Sequence, residues 1–325
     1  MNKQKDGLAL SRLGLGCNRM SISTGNADRK DAIATIHAAL DAGVTFLDTA
    51  DFYSSGHNEM LIGQAVKGYN RDKFFLSVKF GALLSPDGTM YGLDVRPLTI
   101  KNYLAHSLKR LQVDYIDLYQ PGRIDQAIPV EETIGAMADL VKAGYVKHIG
   151  ITEVDAATLK KAHAVHPIRL LEARYSLFDR HLEKELLPAA RELGIGVVAF
   201  GALAHGLLGG TWSKDKEDVN NSRYPLFFKE NIDKNLALVE ELRKIAVEKQ
   251  LTLPQLAIAW MLAKGEDILP LIGARRPAQL TDSVKALSIK LTARDMQRIE
   301  AAIPENEIAG SYFPGLKFQN GVVVR

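Results

Sequence analysis

Short apolar runs alternate along the chain with longer amphipathic segments. Eight such runs, several of them β-branched, lie at residues 13–16, 44–48, 74–79, 115–119, 148–151, 168–172, 195–200 and 267–272. Between them, apolar residues recur at the three- and four-residue spacing of one helix face, as at 31–43, 99–111, 129–144 and 182–194. Eight strand-and-helix repeats predict parallel βαβ units in an α/β protein, enough to close a (β/α)8 TIM barrel.

A doubly wound sheet that binds a dinucleotide is the main alternative fold. It requires G-x-G-x-x-G after the first strand, but residues 14–19 read GLGCNR and lack the third glycine. A length of 325 residues suggests two domains by itself. The eightfold alternation instead predicts a single domain over 1–325, with a long loop after strand seven at 201–235 and a tail at 303–325. The long loop is a candidate lid at the barrel mouth.

Composition narrows the classes of function. The chain has 41 Lys and Arg against 38 Asp and Glu, and no run of five basic residues, so no nucleic-acid partner is expected. The single cysteine, Cys17, excludes an internal disulfide and suits a cytoplasmic location. Residues 193–213 carry no charge, yet their six glycines argue against a membrane span. The histidines lack metal-ligand spacing, so no metal site is expected.

Charged residues at the C-terminal ends of barrel strands are the first candidates for chemistry. Asp48 closes the second run and Lys79 the third, and neighbouring strands lie about 4.8 Å apart, so a carboxylate and an ammonium can meet there. Tyr53 follows on the next loop, close enough to fold back over the mouth. A nearby cation lowers the pKa of a phenol and eases proton donation to a carbonyl oxygen. The alternative is a structural ion pair with a packed tyrosine beside it.

The sequence around these residues resembles the aldo-keto reductase family. The motifs are GVTFLDTADFY at 43–53, GHNE at 56–59, LIG at 61–63, SLKRL at 107–111, DYIDLY at 114–119, LVKAG at 140–144 and IG at 149–150, within a resemblance that runs from about residue 7 to 303. The resemblance implies an NADPH-dependent enzyme that reduces an aldehyde or ketone. It makes Tyr53 the proton donor, Lys79 the group that lowers the pKa of Tyr53, and Asp48 the partner of Lys79.

The family's fourth catalytic residue, a histidine, is absent from this chain. The fourth strand ends in DLYQPGRID at 117–125, and Gly122 stands where the resemblance places the histidine. A water or His57 could substitute for it. The missing histidine motivates a second hypothesis, a regulatory or sensor protein that binds NADPH on the same barrel. A third hypothesis makes Lys79 the Schiff-base lysine of an aldolase.

The turn after the eighth strand is the candidate phosphate site. Arg275 and Arg276 precede a helix that begins near Pro277, and a helix N-terminus attracts anions. The resemblance assigns Arg275 and Gln279 to the adenosine 2′-phosphate, which favours NADPH over NADH.

The resemblance also assigns other positions to the cofactor. Phe200 stacks on the nicotinamide, and Cys17 is a packed thiol that lines the site rather than a nucleophile. The full set of further positions is Gly16, Cys17, Asn18, Asp48, Thr152, Glu153, Glu172, Phe200, Gly201, Ala202, Leu203, His205, Gly206, Gly273, Asp282 and Ser283.

Overall fold

Eight parallel strands close a barrel in chain order. The computed structural model describes residues 2–3, 9–21, 26–210, 224–312, 317–319 and 322–324. Each strand pairs with the next, and the eighth pairs with the first. The (β/α)8 prediction is therefore confirmed, and the doubly wound alternative is excluded. The strands are β1 Gly14–Gly16, β2 Phe46–Ala50, β3 Phe75–Phe80, β4 Ile116–Pro121, β5 Val146–Thr152, β6 Ile168–Arg174, β7 Gly196–Phe200 and β8 Ile268–Gly273.

Helices surround the barrel, and the four amphipathic segments named above form α1, α3, α4 and α6. Gly43, Gly144 and Gly194 follow three of them with positive φ, the conformation that ends many helices. In the described part of the chain, no helix is both long and apolar enough to cross a membrane. The helices are α1 Asn26–Asp41, α2 His57–Ala65, α3 Pro97–Leu111, α4 Val130–Lys142, α5 Ala156–Val165, α6 Leu186–Glu192, α7 Lys229–Glu248, α8 Leu253–Ala263, α9 Pro277–Val284 and α10 Ala293–Ala302.

The interior of the barrel changes from apolar to polar towards the C-terminal ends of its strands. Side chains of a strand alternate between its two faces. Phe46 and Phe75 stack at 5.2 Å in the inner apolar cluster, which Leu118 and Leu170 join. Two residues further along the same four strands come Asp48, Ser77, Gln120 and Glu172, all buried. The alternation therefore brings polar groups together above an apolar layer.

Two connections depart from the minimal barrel. Helix α7 begins at Lys229, so the end of the segment 201–235 is helical, and residues 211–223 of the candidate lid lie outside the described residues. After β3, Ala82–Leu84 and Met90–Leu93 form an antiparallel hairpin. The tail supplies strands Lys317–Gln319 and Val322–Val324, and Val322 pairs with Gly92 of this hairpin. The tail therefore returns to the barrel mouth.

Candidate active site

A cavity of about 870 Å³ opens at the C-terminal ends of the barrel strands. Its volume lies near the upper end for small-molecule and cofactor sites. More than half of the residues proposed from the sequence line it. These are Gly16, Asn18, Asp48, Tyr53, Lys79, Thr152, Glu153, Glu172, Phe200, Gly201, His205 and Gly273.

Asp48 and Lys79 meet at the bottom of this cavity. The strand register places Lys79 opposite Ala50, two residues beyond Asp48. The Lys79 ammonium donates a hydrogen bond to Asp48, and it also lies 3.1 Å from Oε1 of Glu172 on β6. All three side chains are at most 4% exposed. The ion pair expected from the strand ends is present, and a second carboxylate joins it from across the barrel.

Two neutral side chains add hydrogen bonds to the two carboxylates of this cluster. Ser77 Oγ donates to Asp48 at 2.9 Å. Gln120 Nε2 donates to Ser77 Oγ at 3.1 Å and to Glu172 at 2.5 Å. Buried charges are tolerated when they are paired and hydrogen-bonded, as both carboxylates are here. We refer to Asp48, Ser77, Lys79, Gln120 and Glu172 as the cavity floor.

Burial and mutual charge set the protonation of the floor. Burial, and then the charge of Asp48, raises the pKa of Glu172 to about 7. Burial by itself lowers the pKa of Lys79, but the two carboxylates outweigh it and raise that pKa above the usual value. Lys79 is therefore a stable cation at neutral pH, whereas Glu172 titrates near neutrality.

Tyr53 lies above the floor on the loop that follows β2. It begins a short turn, Tyr53–Gly56, in which Ser54 and Ser55 have positive φ. The Lys79 ammonium lies 5.4 Å from the centre of the Tyr53 ring. Burial raises the pKa of Tyr53, while the charge of Lys79 and a hydrogen bond to it act in the opposite direction. Lys79 thus has the effect expected from the sequence, but burial outweighs it.

The space beside Gly122 is filled by Phe52. A Cβ placed on Gly122 would lie 2.8 Å from Cε1 of Phe52. The water and His57, the two substitutes for the missing histidine, stay predictions. The Phe52 ring takes up the volume of a Cβ at position 122, and His57 begins α2 outside the residues that line the cavity.

The loop after β1 is held by Asn58, which the sequence analysis did not single out. Asn58 Nδ2 donates to the carbonyl of Cys17 at 2.8 Å, and Thr49 Oγ1 donates to Asn58 Oδ1 at 2.6 Å. Cys17 is fully buried, and burial raises the pKa of its thiol. The thiol therefore stays protonated at neutral pH, in agreement with a packed rather than a nucleophilic cysteine.

The ends of β5 and β6 carry a hydroxyl that lacks a hydrogen-bond partner among the described residues and a carboxylate that is paired with an arginine. Thr152 Oγ1 is buried and has no hydrogen-bond partner among the described residues, although Thr152 lines the cavity. Glu153 accepts from the backbone N–H and from Nε of Arg174, both at 2.7 Å. The prediction that Glu153 contacts the cofactor stays a prediction, and its carboxylate is held by Arg174 here.

An aromatic cluster covers the glycine-rich loop after β7. The ring of His205 stacks on Tyr224 at 3.8 Å and lies 4.1 Å from Tyr312 of the tail. Gly201 has a φ of 79°, and a Cβ on it would lie 2.2 Å from the Tyr312 hydroxyl. Only glycine fits at that position. Ala202, Leu203 and Gly206 belong to the same loop but are absent from the described lining of the cavity.

The predicted phosphate segment, 273–283, lies beside the cavity, and only Gly273 among its described residues lines it. Arg275 is exposed, and the backbone N–H of Arg275 donates to Gln279 Oε1 at 3.0 Å. Asp282 accepts from Gln255 at 2.6 Å and from Thr252 at 3.0 Å, both at the start of α8. Ser283 donates to the carbonyl of Gln279. The adenine contacts of Asp282 and Ser283 stay predictions. In this structure both side chains form hydrogen bonds with residues of α8, its N-cap or α9 instead.

Several lining residues were not identified from the sequence. Arg174 ends β6, which extends two residues beyond the run 168–172 predicted from the sequence, so the strand-end rule stopped at Glu172. The others lie on loops or inside strands and had no such signal. They are Arg19, Phe52, Ala82, Met90, Leu93, Arg123, Tyr224, Leu271, Ser311 and Tyr312.

Comparisons with known proteins agree on one family. The sequence profile of the aldo/keto reductase family matches residues 12–304. A protein from Glycine max, named probable aldo-keto reductase 1, is 38% identical over 316 residues, which cover 95% of this chain and 90% of that protein.

Solved structures give the same assignment. The glycerol dehydrogenase AKR11B4 from Gluconobacter oxydans is 29% identical, with a TM-score of 0.85 over 96% of this chain and 97% of that one. The aldo-keto reductase AKR11C1 from Bacillus halodurans, solved in its holo form, is 30% identical, with a TM-score of 0.79 over 94% and 96% of the two chains. This chain therefore belongs to the aldo/keto reductase family, oxidoreductases that act on small carbonyl compounds with nicotinamide cofactors.

Proposed function

We propose that this protein reduces an aldehyde or ketone to an alcohol with NADPH, and that Tyr53 supplies the proton. The observation that carries this proposal is the position of Tyr53 above a buried Asp48–Lys79 pair at the bottom of a large cavity. A phenol beside a fixed cation is suited to protonate a carbonyl oxygen.

The chain's own residues account for the proton. Tyr53 donates its hydroxyl proton to the carbonyl oxygen while the carbonyl carbon gains a hydride, so C=O becomes CH–OH. The phenolate left behind is stabilised by the Lys79 ammonium, which Asp48 and Glu172 keep charged. A proton from solvent then restores Tyr53. The bound cofactor supplies the hydride.

The cavity offers groups that fit a nicotinamide cofactor. Thr152 lines the cavity, and its Oγ1 is a buried polar atom that lacks a partner among the described residues, so it is available to bond a carboxamide. Glu172 can accept a hydrogen bond from the same amide, and Phe200 at the end of β7 lines the cavity with an aromatic ring. The Thr152 hydroxyl, the Glu172 carboxylate and the Phe200 ring together support a bound nicotinamide in this part of the cavity.

A preference for NADPH over NADH rests on Arg275. Its guanidinium is exposed at the start of α9, with no bond to another described side chain. A free guanidinium beside a helix N-terminus suits a phosphate.

A regulatory or sensor protein on the same barrel is the second candidate. The observation that favours it is the apolar contact between Phe52 and Gly122, since position 122 offers no side-chain donor to a substrate's carbonyl oxygen. An aldolase-type role for Lys79 is disfavoured, because a Schiff base requires a neutral amine and this lysine is held charged.

Steady-state consumption of NADPH with a panel of aldehydes and ketones tests the proposal. Turnover is expected in the parent protein, and Tyr53→Phe should lower kcat by about 10²- to 10⁴-fold with NADPH affinity nearly unchanged. Tyr69→Phe is the matched control, since Tyr69 packs against His37 away from the cavity. Tight NADPH binding without turnover across the panel would support the sensor instead. Equal rates in Tyr53→Phe and the parent would remove Tyr53 from the proton-donor role.

A further inference from the structure

Gly122 and Phe52 fit against each other in the cavity wall beside Tyr53. The backbone N–H of Gly122 donates to the carbonyl of Phe80 at 2.8 Å, which fixes this glycine to the end of β3. A Cβ on Gly122 would lie 2.8 Å from Cε1 and 3.0 Å from Cζ of Phe52. Carbon atoms in favourable contact lie about 3.5–4.0 Å apart. The Phe52 ring therefore already fills the volume that any side chain at position 122 would need.

The same ring also touches the proposed proton donor. The rings of Phe52 and Tyr53 meet edge to face, with centroids 5.1 Å apart and planes at 86°. Edge-to-face contact is a favoured geometry for an aromatic pair. Phe52 thus lies between the Gly122 backbone and Tyr53, and it lines the cavity.

The lining of the cavity above its floor divides into two halves. The ends of β5 and β6 and the loops after β7 and β1 carry mostly polar or charged groups, such as Thr152, Arg174 and Asn18. Arg123, which follows β4, borders both halves, because its guanidinium donates to the Gly122 carbonyl at 2.8 Å and lies 4.0 Å from Glu153. Segments that follow β2, β3 and β4 form what we call the apolar wall. Its members are Phe52, Ala82, Met90, Leu93 and Gly122.

We propose that Phe52, seated on Gly122, is a specificity-determining residue that selects carbonyl compounds with an aromatic or branched apolar substituent over those bearing hydroxyl groups. The inference rests on the proposed function, because it places the substrate on the apolar side of Tyr53. An aryl substituent gains ring contacts with Phe52. A hydroxyl group against Phe52, Met90 and Leu93 loses its hydrogen bonds to water without replacement. With no side chain at Gly122 to bond the carbonyl oxygen, these apolar contacts hold the carbonyl at Tyr53.

Kinetics with benzaldehyde and glyceraldehyde test the selectivity. The parent protein should have the higher kcat/KM for benzaldehyde. Phe52→Ala should lower kcat/KM for benzaldehyde by about tenfold or more, chiefly through KM, and change that for glyceraldehyde by less than about threefold. A parent that prefers glyceraldehyde overturns the inference. So does an equal loss for both substrates confined to kcat, since Phe52 would then only position Tyr53.

Substitution of the glycine tests the contact itself. Gly122→Ala should displace Phe52 and reduce the preference for benzaldehyde, whereas in a Phe52→Ala background it should have little further effect. Gly135→Ala in α4 is the matched control, because a Cβ there meets nothing within 4 Å. Additive effects of the two changes would show that Phe52 and Gly122 act independently and would overturn the inference.

A binding measurement separates this inference from the proposed function. If the parent turns over no carbonyl compound, the proposed function fails. The rise in Tm caused by benzyl alcohol and by glycerol still measures which kind of ligand the apolar wall binds. Benzyl alcohol should raise the Tm of the parent more than glycerol does, and Phe52→Ala should lose that difference. Equal shifts in parent and variant overturn the role of Phe52. Phe52→Leu, which keeps an apolar side chain, replaces Phe52→Ala if the latter does not fold.

Discussion

The cavity floor and the segment 273–283 hold their functional side chains in different ways. On the floor, Asp48, Lys79 and Glu172 are buried and bonded to one another or to Ser77 and Gln120. In the segment, the Arg275 guanidinium is exposed, and the side chain of Gln279 accepts from its own helix start. Changes on the floor should therefore affect folding and chemistry together, whereas changes at Arg275 should affect ligand affinity alone.

Removal of the floor cation should produce the largest effect. Lys79→Met leaves two buried carboxylates without a counter-charge, so the free energy of unfolding should fall by about 3–5 kcal/mol. Urea unfolding at pH 7 measures the loss. Lys160→Met is the control, since Lys160 pairs with Glu192 at 2.9 Å on the exposed surface and should cost about 1 kcal/mol or less. Similar losses of unfolding free energy in both variants would mean that the Lys79 ion pairs stabilise the protein no more than an exposed ion pair does.

The pH dependence of stability should also arise on the floor. Burial and Asp48 raise the pKa of Glu172 from 4.5 to about 7, so the folded protein binds this proton more tightly than the unfolded chain. The resulting stability is present below about pH 4.5 and is lost as the pH rises through about 7. Glu172→Gln should remove on the order of 2 kcal/mol of this dependence.

Comparison of parent and variant isolates Glu172 from Asp51. Burial, and then Glu59, raises the pKa of Asp51 to about 7 as well, with the same sign, and this contribution cancels in the difference. Urea unfolding of both proteins at several values between pH 5 and pH 8 gives that difference. Parallel curves would show that Glu172 does not titrate in this range.

Arg275→Ala should act on affinity and not on stability. Loss of a charged hydrogen bond to the 2′-phosphate should weaken NADPH binding by about tenfold or more, with NADH binding unchanged. Arg276→Ala is the matched control, since the guanidinium of Arg276 lies 3.7 Å from the Asp31 carboxylate and is already paired with it. Fluorescence titration with both nucleotides checks the result. Equal losses for NADPH and NADH would mean that Arg275 does not contact the 2′-phosphate.

The smallest effect is expected at Asp282. Asp282→Ala removes acceptors for Thr252 and Gln255 at the start of α8 and should cost about 1 kcal/mol of stability. NADPH affinity should stay constant if these contacts occupy the carboxylate. A fall in NADPH affinity without a fall in Tm would instead place Asp282 at the adenine.

The sequence predictions were correct where the interactions are local in sequence and missed contacts between residues that lie far apart in sequence. The strand-end rule found Asp48 and Lys79 because each residue closes an apolar run that the local sequence defines. The two runs form adjacent parallel strands, so the two side chains meet. The strand-end rule stopped short of Arg174, because β6 extends two residues beyond the predicted run. The motif at 56–59 contains Asn58 but gave no role to its amide, which binds Cys17 across 41 residues of sequence.

By itself, the sequence determined eight strands, their parallel order and the charged pair Asp48 and Lys79 at the ends of two of them. These properties follow from hydrophobic periodicity and strand alternation, which act over a few residues. Tertiary structure decided that Glu172 reaches Lys79 from β6 and that Phe52 lies on Gly122 from another loop. Both contacts exist because barrel closure brings distant strand ends to one mouth. It is these contacts that set the protonation of the floor and the character of the wall beside Tyr53.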